Sequence, residues 1–236
     1  GRADIAAAYK ALAATANHFM VAFGAGESWW GSQQQVLLAL DEDDETQINP
    51  AHVPVTVPVI RSADGVTLYQ SGVDYLVSTA TGKIERVVSG AIAAEANLQV
   101  TYVANVPQPD LTTQELVGEV GRVPVSSVLY IQPFAEANDP GAGFVMIEGV
   151  KYALSAAATR MLLFQAQLAA TDGVGDPIRE YALFSGCVVD PDLPLGQAYF
   201  EPADIAEAGI CVIEKHRSPV PHDGTVGLAL SIILEI

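Results

Sequence analysis

The chain has 236 residues, half of them hydrophobic, so it can bury one large or two small cores and is not expected to be disordered. Its formal net charge of −17, with only 11 Lys and Arg residues, argues against a surface for nucleic acid or for anionic membranes, because both are bound through basic side chains. No apolar run approaches the ~20 residues that span a bilayer, and no leader segment is visible at the start. We therefore expect an acidic protein without a nucleic-acid or membrane partner.

The first predicted element is a helix over residues 3–16, which are rich in alanine and carry apolar side chains at spacings of three and four. The predicted apolar face consists of Ile5, Tyr9, Leu12, Ala16 and Phe19. Residues 19–23 are continuously apolar and predict a buried strand that ends at Gly24.

A polar loop over residues 27–35 contains the pair Trp29-Trp30. Two consecutive tryptophans usually point in different directions, so one would pack on the protein itself and the other would be left for a partner. The acidic run at 41–45 resembles a calcium loop in composition only, because Thr46 stands where such a loop needs glycine and His52 where it needs glutamate. We expect a solvated loop there.

Residues 53–104 predict a small antiparallel β module of short strands separated by turns. Val53, Val55, Val57 and Val59 alternate with Pro54 and Pro58, which indicates a strand paired on one side only, because proline has no N–H. Residues 80–83 predict a hairpin turn, and residues 98–103 an alternating strand. The module would be inserted between residues 1–52 and 105–236, which form the main, mostly β domain.

The remaining predicted elements are also strands. Residues 125–134 and 178–184 predict strands, 144–154 a hairpin around Glu148-Gly149, and 137–143 a tight loop. Residues 159–168 fit a helix or a strand. The predicted fold class is therefore mainly β, with antiparallel, sandwich-like sheets and one N-terminal α-helix.

The last segment, 226–236, alternates bulky with mostly small residues. One interpretation is a central strand with something packed close to its small face. The other is a strand that pairs with another subunit. In the second interpretation Ile232, Leu234 and Ile236 would be subunit-interface residues, together with Trp29 and Trp30.

The motifs that carry chemistry are weak. Gly24-Ala25-Gly26 lacks the third glycine of a dinucleotide loop, and Gly26-Glu27-Ser28 lacks the closing glycine of a nucleophile elbow. Cys211, His216 and His222 are zinc-ligand types, but their spacing fits none of the common zinc sites. We predict no catalytic, cofactor-binding or metal-binding residues, and no enzyme. Cys187 and Cys211 both lie in apolar runs, so we expect reduced, buried thiols.

Two regions resemble a known family. The central pattern resembles small β modules that recur in tailed-bacteriophage virion proteins, and its residues are Gly65, 66–69, 72–75, 82–84 and 98–102. The strand 178–184, followed by Tyr199-Phe200 and the alternating segment 226–236, looks like those of tail-fibre, collar and baseplate-associated proteins.

The resemblance implies a non-enzymatic neck, collar, tail or baseplate part. Such a part would be made in the host cytoplasm, incorporated in the virion, and bound to other virion proteins and to copies of itself. The chain lacks the shaft repeat of a distal fibre. The alternative is a carbohydrate-binding or adhesive β module in which Trp29, Trp30 and the 41–45 loop form a sugar platform.

Overall fold

The computed structural model describes residues 1–136 and 143–236, so the predicted loop at 137–143 lies, apart from Gly143, outside the described residues. One α-helix, α1 (Arg2–Leu12), and seventeen strands are present in those ranges. The strands are β1 (Phe19–Gly24), β2 (Gln33–Ala39), β3 (Glu45–Gln47), β4 (Val59–Ser62), β5 (Tyr75–Ser78), β6 (Lys83–Arg86), β7 (Asn97–Val103), β8 (Glu119–Pro124), β9 (Ser127–Pro133), β10 (Phe144–Ile147), β11 (Val150–Ser155), β12 (Met161–Leu168), β13 (Ile178–Ser185), β14 (Val188–Val189), β15 (Ile205–Glu207), β16 (Ile210–Val220) and β17 (Leu228–Glu235).

The prediction of a mainly β protein with one N-terminal helix is confirmed. Every strand pair recorded within the sheets is antiparallel. Over the described ranges no helix has the length and apolar character needed to cross a membrane.

The chain folds into two compact units. The first unit contains Gly1–Gly26 and Pro109–Ile236, and the second contains Glu27–Gln108. The module predicted at 53–104 lies within the second unit, which also includes residues 27–52.

The first unit is built around two larger sheets. One has four strands in the order β16-β13-β1-β8, and the other has five in the order β10-β11-β9-β12-β17. Side chains of both sheets form one core, in which Phe19 of β1 meets Phe164 of β12 edge-to-face with ring centroids 5.1 Å apart. All six residues of β1 are buried, as the unbroken apolar sequence predicts for a strand covered on both faces.

One hydrophobic cluster contains side chains from both ends of the five-stranded sheet. Val145 and Ile147 of β10 share a hydrophobic cluster with Ile233 of β17, although β10 and β17 stand at opposite ends of the strand order. Leu163 belongs to the same cluster, whereas its neighbour Phe164 belongs to the core between the sheets. The sheet therefore buries side chains on both of its faces.

Helix α1 packs on the core by only part of the predicted face. Ala6 is fully buried and Tyr9 packs beside it, but Ile5 and Leu12 are 49% and 43% exposed. The small side chain of Ala6 permits close approach to the core, and the Tyr9 ring stacks on Phe19 at 5.8 Å. The apolar spacing thus identified the helix and the packing of Tyr9, but it was wrong for Ile5 and Leu12 and missed Ala6.

The second unit contains the sheets β2-β7-β4 and β3-β6-β5 around its own core. Strand β7 alternates as predicted, with Leu98, Val100 and Tyr102 buried. The hairpin predicted at 80–83 joins β5 to β6, and Gly82 takes the positive φ of 73° that favours glycine.

The strand predicted over Val53 to Val59 is wrong for most of its length. Residues 53–58 are irregular and β4 begins only at Val59. Val57 is 66% exposed, so the alternation does not define a buried face. Proline removes ladder hydrogen bonds at two positions here, and the strand forms only after the second. Residues 66–69, part of the pattern that resembles phage β modules, contribute one isolated bridge, between Leu68 and Arg61.

Two segments that the sequence left open are strands of the first unit. Residues 159–168 form the strand β12, not a helix. Segment 226–236 forms β17, which lies at the edge of its sheet and is not a central strand. The hairpin around Glu148-Gly149 is confirmed, with both residues at positive φ.

Candidate functional site

The edge of β17 is the first candidate site. β17 pairs with β12 on one side, and the backbone N–H of Ile236 donates to the carbonyl of Arg160 at 2.9 Å. Because backbone groups along a strand point alternately to either side, the odd-numbered residues of β17 direct their N–H groups away from β12. These residues are Ala229, Ser231, Ile233 and Glu235. None of the four donates to another residue of the described ranges.

A groove of about 360 Å³ borders this edge. It is lined by 229–231 of β17, by 215–217 of β16, by 146–148 in the β10–β11 hairpin and by Tyr181. β16 is the edge strand of the four-stranded sheet, so the edges of the two sheets meet at one groove.

The side chains of the predicted C-terminal interface residues face the core and not the open edge of β17. Ile232 is 1% exposed, and Leu234 and Ile236 are partly buried against the same core. Their side chains point between the sheets. At its open edge β17 presents the backbone N–H groups of its odd-numbered residues.

The two tryptophans are fixed within the second unit. Trp30 is buried, and Trp29 packs on the ring of His52 with centroids 4.6 Å apart. The indole rings of Trp29 and Trp30 meet edge-to-face, at 83°. They therefore do not form the flat, exposed surface on which a sugar ring stacks.

The acidic run at 41–45 is held by the chain's own groups. The carboxylate of Asp41 accepts hydrogen bonds from the N–H groups of Asp43 and Glu45. Glu45 forms an ion pair with Lys83 at 2.7 Å, and Lys83 also contacts Glu85 at 2.6 Å. These contacts raise the pKa of Lys83, first through Glu45 and then through Glu85.

Both cysteines are buried and free, as predicted. Burial, and then the carboxylates of Glu214 and Asp110, raises the pKa of Cys211 to about 11. Burial likewise raises the pKa of the Cys187 thiol, against the effect of nearby Arg122. Both thiols are therefore protonated and unreactive at neutral pH.

A buried carboxylate–histidine cluster lies on the four-stranded sheet. Glu180 of β13 pairs in register with His216 of β16, and Glu214 lies two residues before His216 on the same face. His216 Nε2 is 2.8 Å from Glu214 Oε1 and 3.3 Å from Glu180 Oε2. Of the sequence-predicted zinc-ligand types only His216 belongs to this cluster; His222 bonds the carbonyl of Asp172 instead.

Glu180 is the unusual member of this cluster. It is 1% exposed, and although Oε2 lies 3.3 Å from His216 Nε2, neither carboxylate oxygen forms a hydrogen bond of good geometry within the described part of the chain. Burial, and then the charge of Glu214, raises the pKa of Glu180 to about 8, while the Val117 backbone opposes the shift. Sequence reasoning missed Glu180 and Glu214; the only local signal is the spacing of Glu214 and His216 on one strand face.

A second buried carboxylate, Glu119, lies at the start of β8 and is fully paired. Its two oxygens bind Arg122 through Nε at 2.7 Å and Nη2 at 3.1 Å. Arg122 also donates to the carbonyls of Gln114 and Ala208, and its guanidinium lies 4.0 Å from the centre of the Phe184 ring. This network fastens two connecting segments to the sheet.

The first unit is an antiparallel β fold with two larger sheets and an unpaired edge at β17. The family model of the baseplate wedge 3 tail fiber network component matches residues 95–236, more than half of the chain. The chain belongs to this family. It is therefore a structural component of the tailed-phage virion, associated with the baseplate and tail fibres and in contact with other virion proteins, and the resemblance seen in the sequence is confirmed. No curated protein sequence matches the chain.

Proposed function

We propose that this protein is a non-enzymatic part of the baseplate that assembles with copies of itself, and with other virion proteins, through the open edge of β17. The observation that carries the proposal is the row of four outward N–H groups on β17. An extended segment of a neighbour that adds to this edge would satisfy those groups by main-chain hydrogen bonds.

The two edges at the groove differ in a way that favours β17. Proteins protect exposed strand edges with lysine, proline, bulges and other charges. β16 has Lys215, Arg217 and Pro219, and its pairing with β13 shifts register twice. β17 has a single charged residue, Glu235, and pairs with β12 over eight residues without a shift. An unprotected, regular edge is what a strand-adding partner requires.

The proposal that the protein is not an enzyme also has physical support. The two thiols have raised pKa values, so they are poor nucleophiles. The carboxylate–histidine cluster on the four-stranded sheet is almost closed to solvent, since the side chains of Glu180, Glu214 and His216 are 1%, 7% and 9% exposed. Little of these three side chains is exposed to a substrate.

A proline at Ser231 tests the proposal, because proline removes an N–H that the folded chain itself does not use. We expect the wild-type protein to sediment as a multiple of the 24.8 kDa chain and Ser231→Pro to sediment as a monomer. Ser231→Ala keeps the N–H and is the matched control, which should assemble normally. Circular dichroism checks that both variants keep the β fold.

Two results would overturn the proposal. One is a wild-type protein that stays monomeric at all concentrations. The other is a folded Ser231→Pro variant that assembles as the wild type does.

A further inference from the structure

We propose that Glu180, Glu214 and His216 bind one divalent transition-metal ion, of the zinc type, which ties the edge strand β16 to β13. The three residues supply two carboxylate oxygens and one imidazole nitrogen, and these ligand atoms all lie within 4.8 Å of one another. The site is structural, so no group is transferred and no bond of a substrate is broken.

Strand pairing brings the three ligands together. Glu180 and His216 are opposite each other in the β13–β16 register, and Glu214 shares the face of His216 because alternate residues of a strand point the same way. Neighbouring strands are about 5 Å apart, so side chains at these positions converge without a loop rearrangement.

The distances suit a common ion. Ligands at about 2.0–2.2 Å from one zinc ion, arranged tetrahedrally, are roughly 3.3–3.6 Å from one another. In the structure His216 Nε2 lies 3.3 Å from Glu180 Oε2 and 2.8 Å from Glu214 Oε1. Movements of less than about 1 Å would bring all three to bonding distance.

The strongest indication is the state of Glu180. A carboxylate that is 1% exposed and forms no hydrogen bond of good geometry in the described ranges is costly to bury. Space is nevertheless kept for it: a Cβ at Gly24 of β1 would lie 2.5 Å from Glu180 Oε1. A cation between Glu180 and His216 would satisfy both oxygens of Glu180, neither of which forms a hydrogen bond of good geometry in the described ranges.

The environment of Glu214 also fits a metal ligand. Its Oε2 accepts the backbone N–H of Asp110 at 2.7 Å, which orients the carboxylate and leaves Oε1 directed at His216. Metal-binding carboxylates are commonly held in this way by a second hydrogen bond.

The ligand set selects the class of ion. Imidazole suits zinc, iron, nickel and copper, whereas magnesium and calcium prefer sites made of oxygen alone. Three protein ligands leave one position of a tetrahedral ion for water. We therefore expect zinc binding at one ion per chain, and no binding of magnesium at this site.

Isothermal titration calorimetry, in which zinc chloride is added to the metal-stripped full chain, tests the site. We expect one saturable site in the wild type and at least a tenfold loss of affinity in Glu180→Gln, which removes the charge but keeps the shape. Asp43→Asn in the exposed acidic run is the matched control for diffuse binding and should bind as the wild type does. Magnesium chloride should give no such site.

Zinc-edge X-ray absorption on the wild-type protein tests the ligands without any variant. We expect only nitrogen and oxygen neighbours at about 2.0–2.2 Å, with the signature of one imidazole. Sulfur at about 2.3 Å would place the ion on a cysteine and overturn the proposal. So would the lack of a saturable site in the wild type, or equal loss of binding in Asp43→Asn and Glu180→Gln.

Discussion

Two of the carboxylates buried on the four-stranded sheet, Glu119 and Glu180, differ sharply in their partners. Glu119 is enclosed with Arg122, which binds both of its oxygens. Glu180 is equally enclosed, but neither of its oxygens forms a hydrogen bond of good geometry within the described ranges and its pKa is raised to about 8. Glu119 is fully hydrogen-bonded, whereas Glu180 could bind a proton or a cation.

The difference shows what a buried acid can contribute. A fully bonded ion pair fixes neighbouring segments, because removing either partner leaves an unpaired charge in the interior. A buried acid without such a partner lowers the free energy of unfolding. This cost suggests that a ligand binds to Glu180. Three substitutions would test this contrast.

The largest effect is expected from Arg122→Met. The substitution leaves the buried carboxylate of Glu119 without its cationic partner and removes the hydrogen bonds to the carbonyls of Gln114 and Ala208. We expect the free energy of unfolding of the first unit to fall by about 3–5 kcal/mol, measured by urea denaturation. Arg160→Met is the control, because its ion pair with Glu235 is about half exposed, and it should cost no more than about 1 kcal/mol. Equal losses in the two variants would contradict the role given to Arg122.

A smaller effect is expected from Gly24→Ala. The new methyl group would lie 2.5 Å from Glu180 Oε1, so overpacking should lower the unfolding free energy by about 1–3 kcal/mol. In a Glu180→Ala background the same change should cost less, with a coupling energy of at least about 0.5 kcal/mol in a double-mutant cycle. Additive costs would mean that Gly24 does not keep space for Glu180.

The smallest effect concerns pH. In metal-free protein the pKa of Glu180 is about 8 when folded and about 4.5 when unfolded, so between these values the folded state binds more protons. Stability from this group is therefore full below pH 4.5 and is lost as the pH rises through 8. The carboxylates of Glu214 and Glu119 add to the shift through their charge.

Melting curves between pH 5 and pH 9 would reveal this titration. Relative to the wild type, Glu180→Gln should be more stable at pH 9 than at pH 5 by at least about 1 kcal/mol. Parallel pH profiles for the two proteins would show that Glu180 is not buried as a protonated acid.

The elements that were predicted correctly are those in which a single local sequence pattern determines the structure. The apolar run of β1, the alternation of β7 and the turn at Glu148-Gly149 each specify an element locally, and all three are present. Residues 53–58 show the limit, because four alternating valines predict a strand while two prolines prevent most of its pairing. The helix face failed for a related reason: spacing favours Ile5 and Leu12, but packing selects Ala6.

The candidate site could not be predicted because it depends on register. Glu180 and His216 become neighbours only when β13 and β16 align, and two bulges interrupt that alignment. A shift of one residue would place His216 on the other face of the sheet. The edge position of β17 is likewise set by the strand order, which the sequence of the strand does not contain. Its alternation fits a strand inside a sheet as well as one at the rim.

The insertion of the second unit between β1 and β8 affects how the chain folds. Met20 of β1 pairs with Phe184 of β13, which the ribosome makes much later, whereas Glu27–Gln108 is a continuous segment that closes its own sheets first. Contacts between residues so far apart in the chain form slowly. During synthesis the apolar strand β1 therefore remains without its neighbours, and it is the segment of the nascent chain that chaperones have most reason to shield from aggregation.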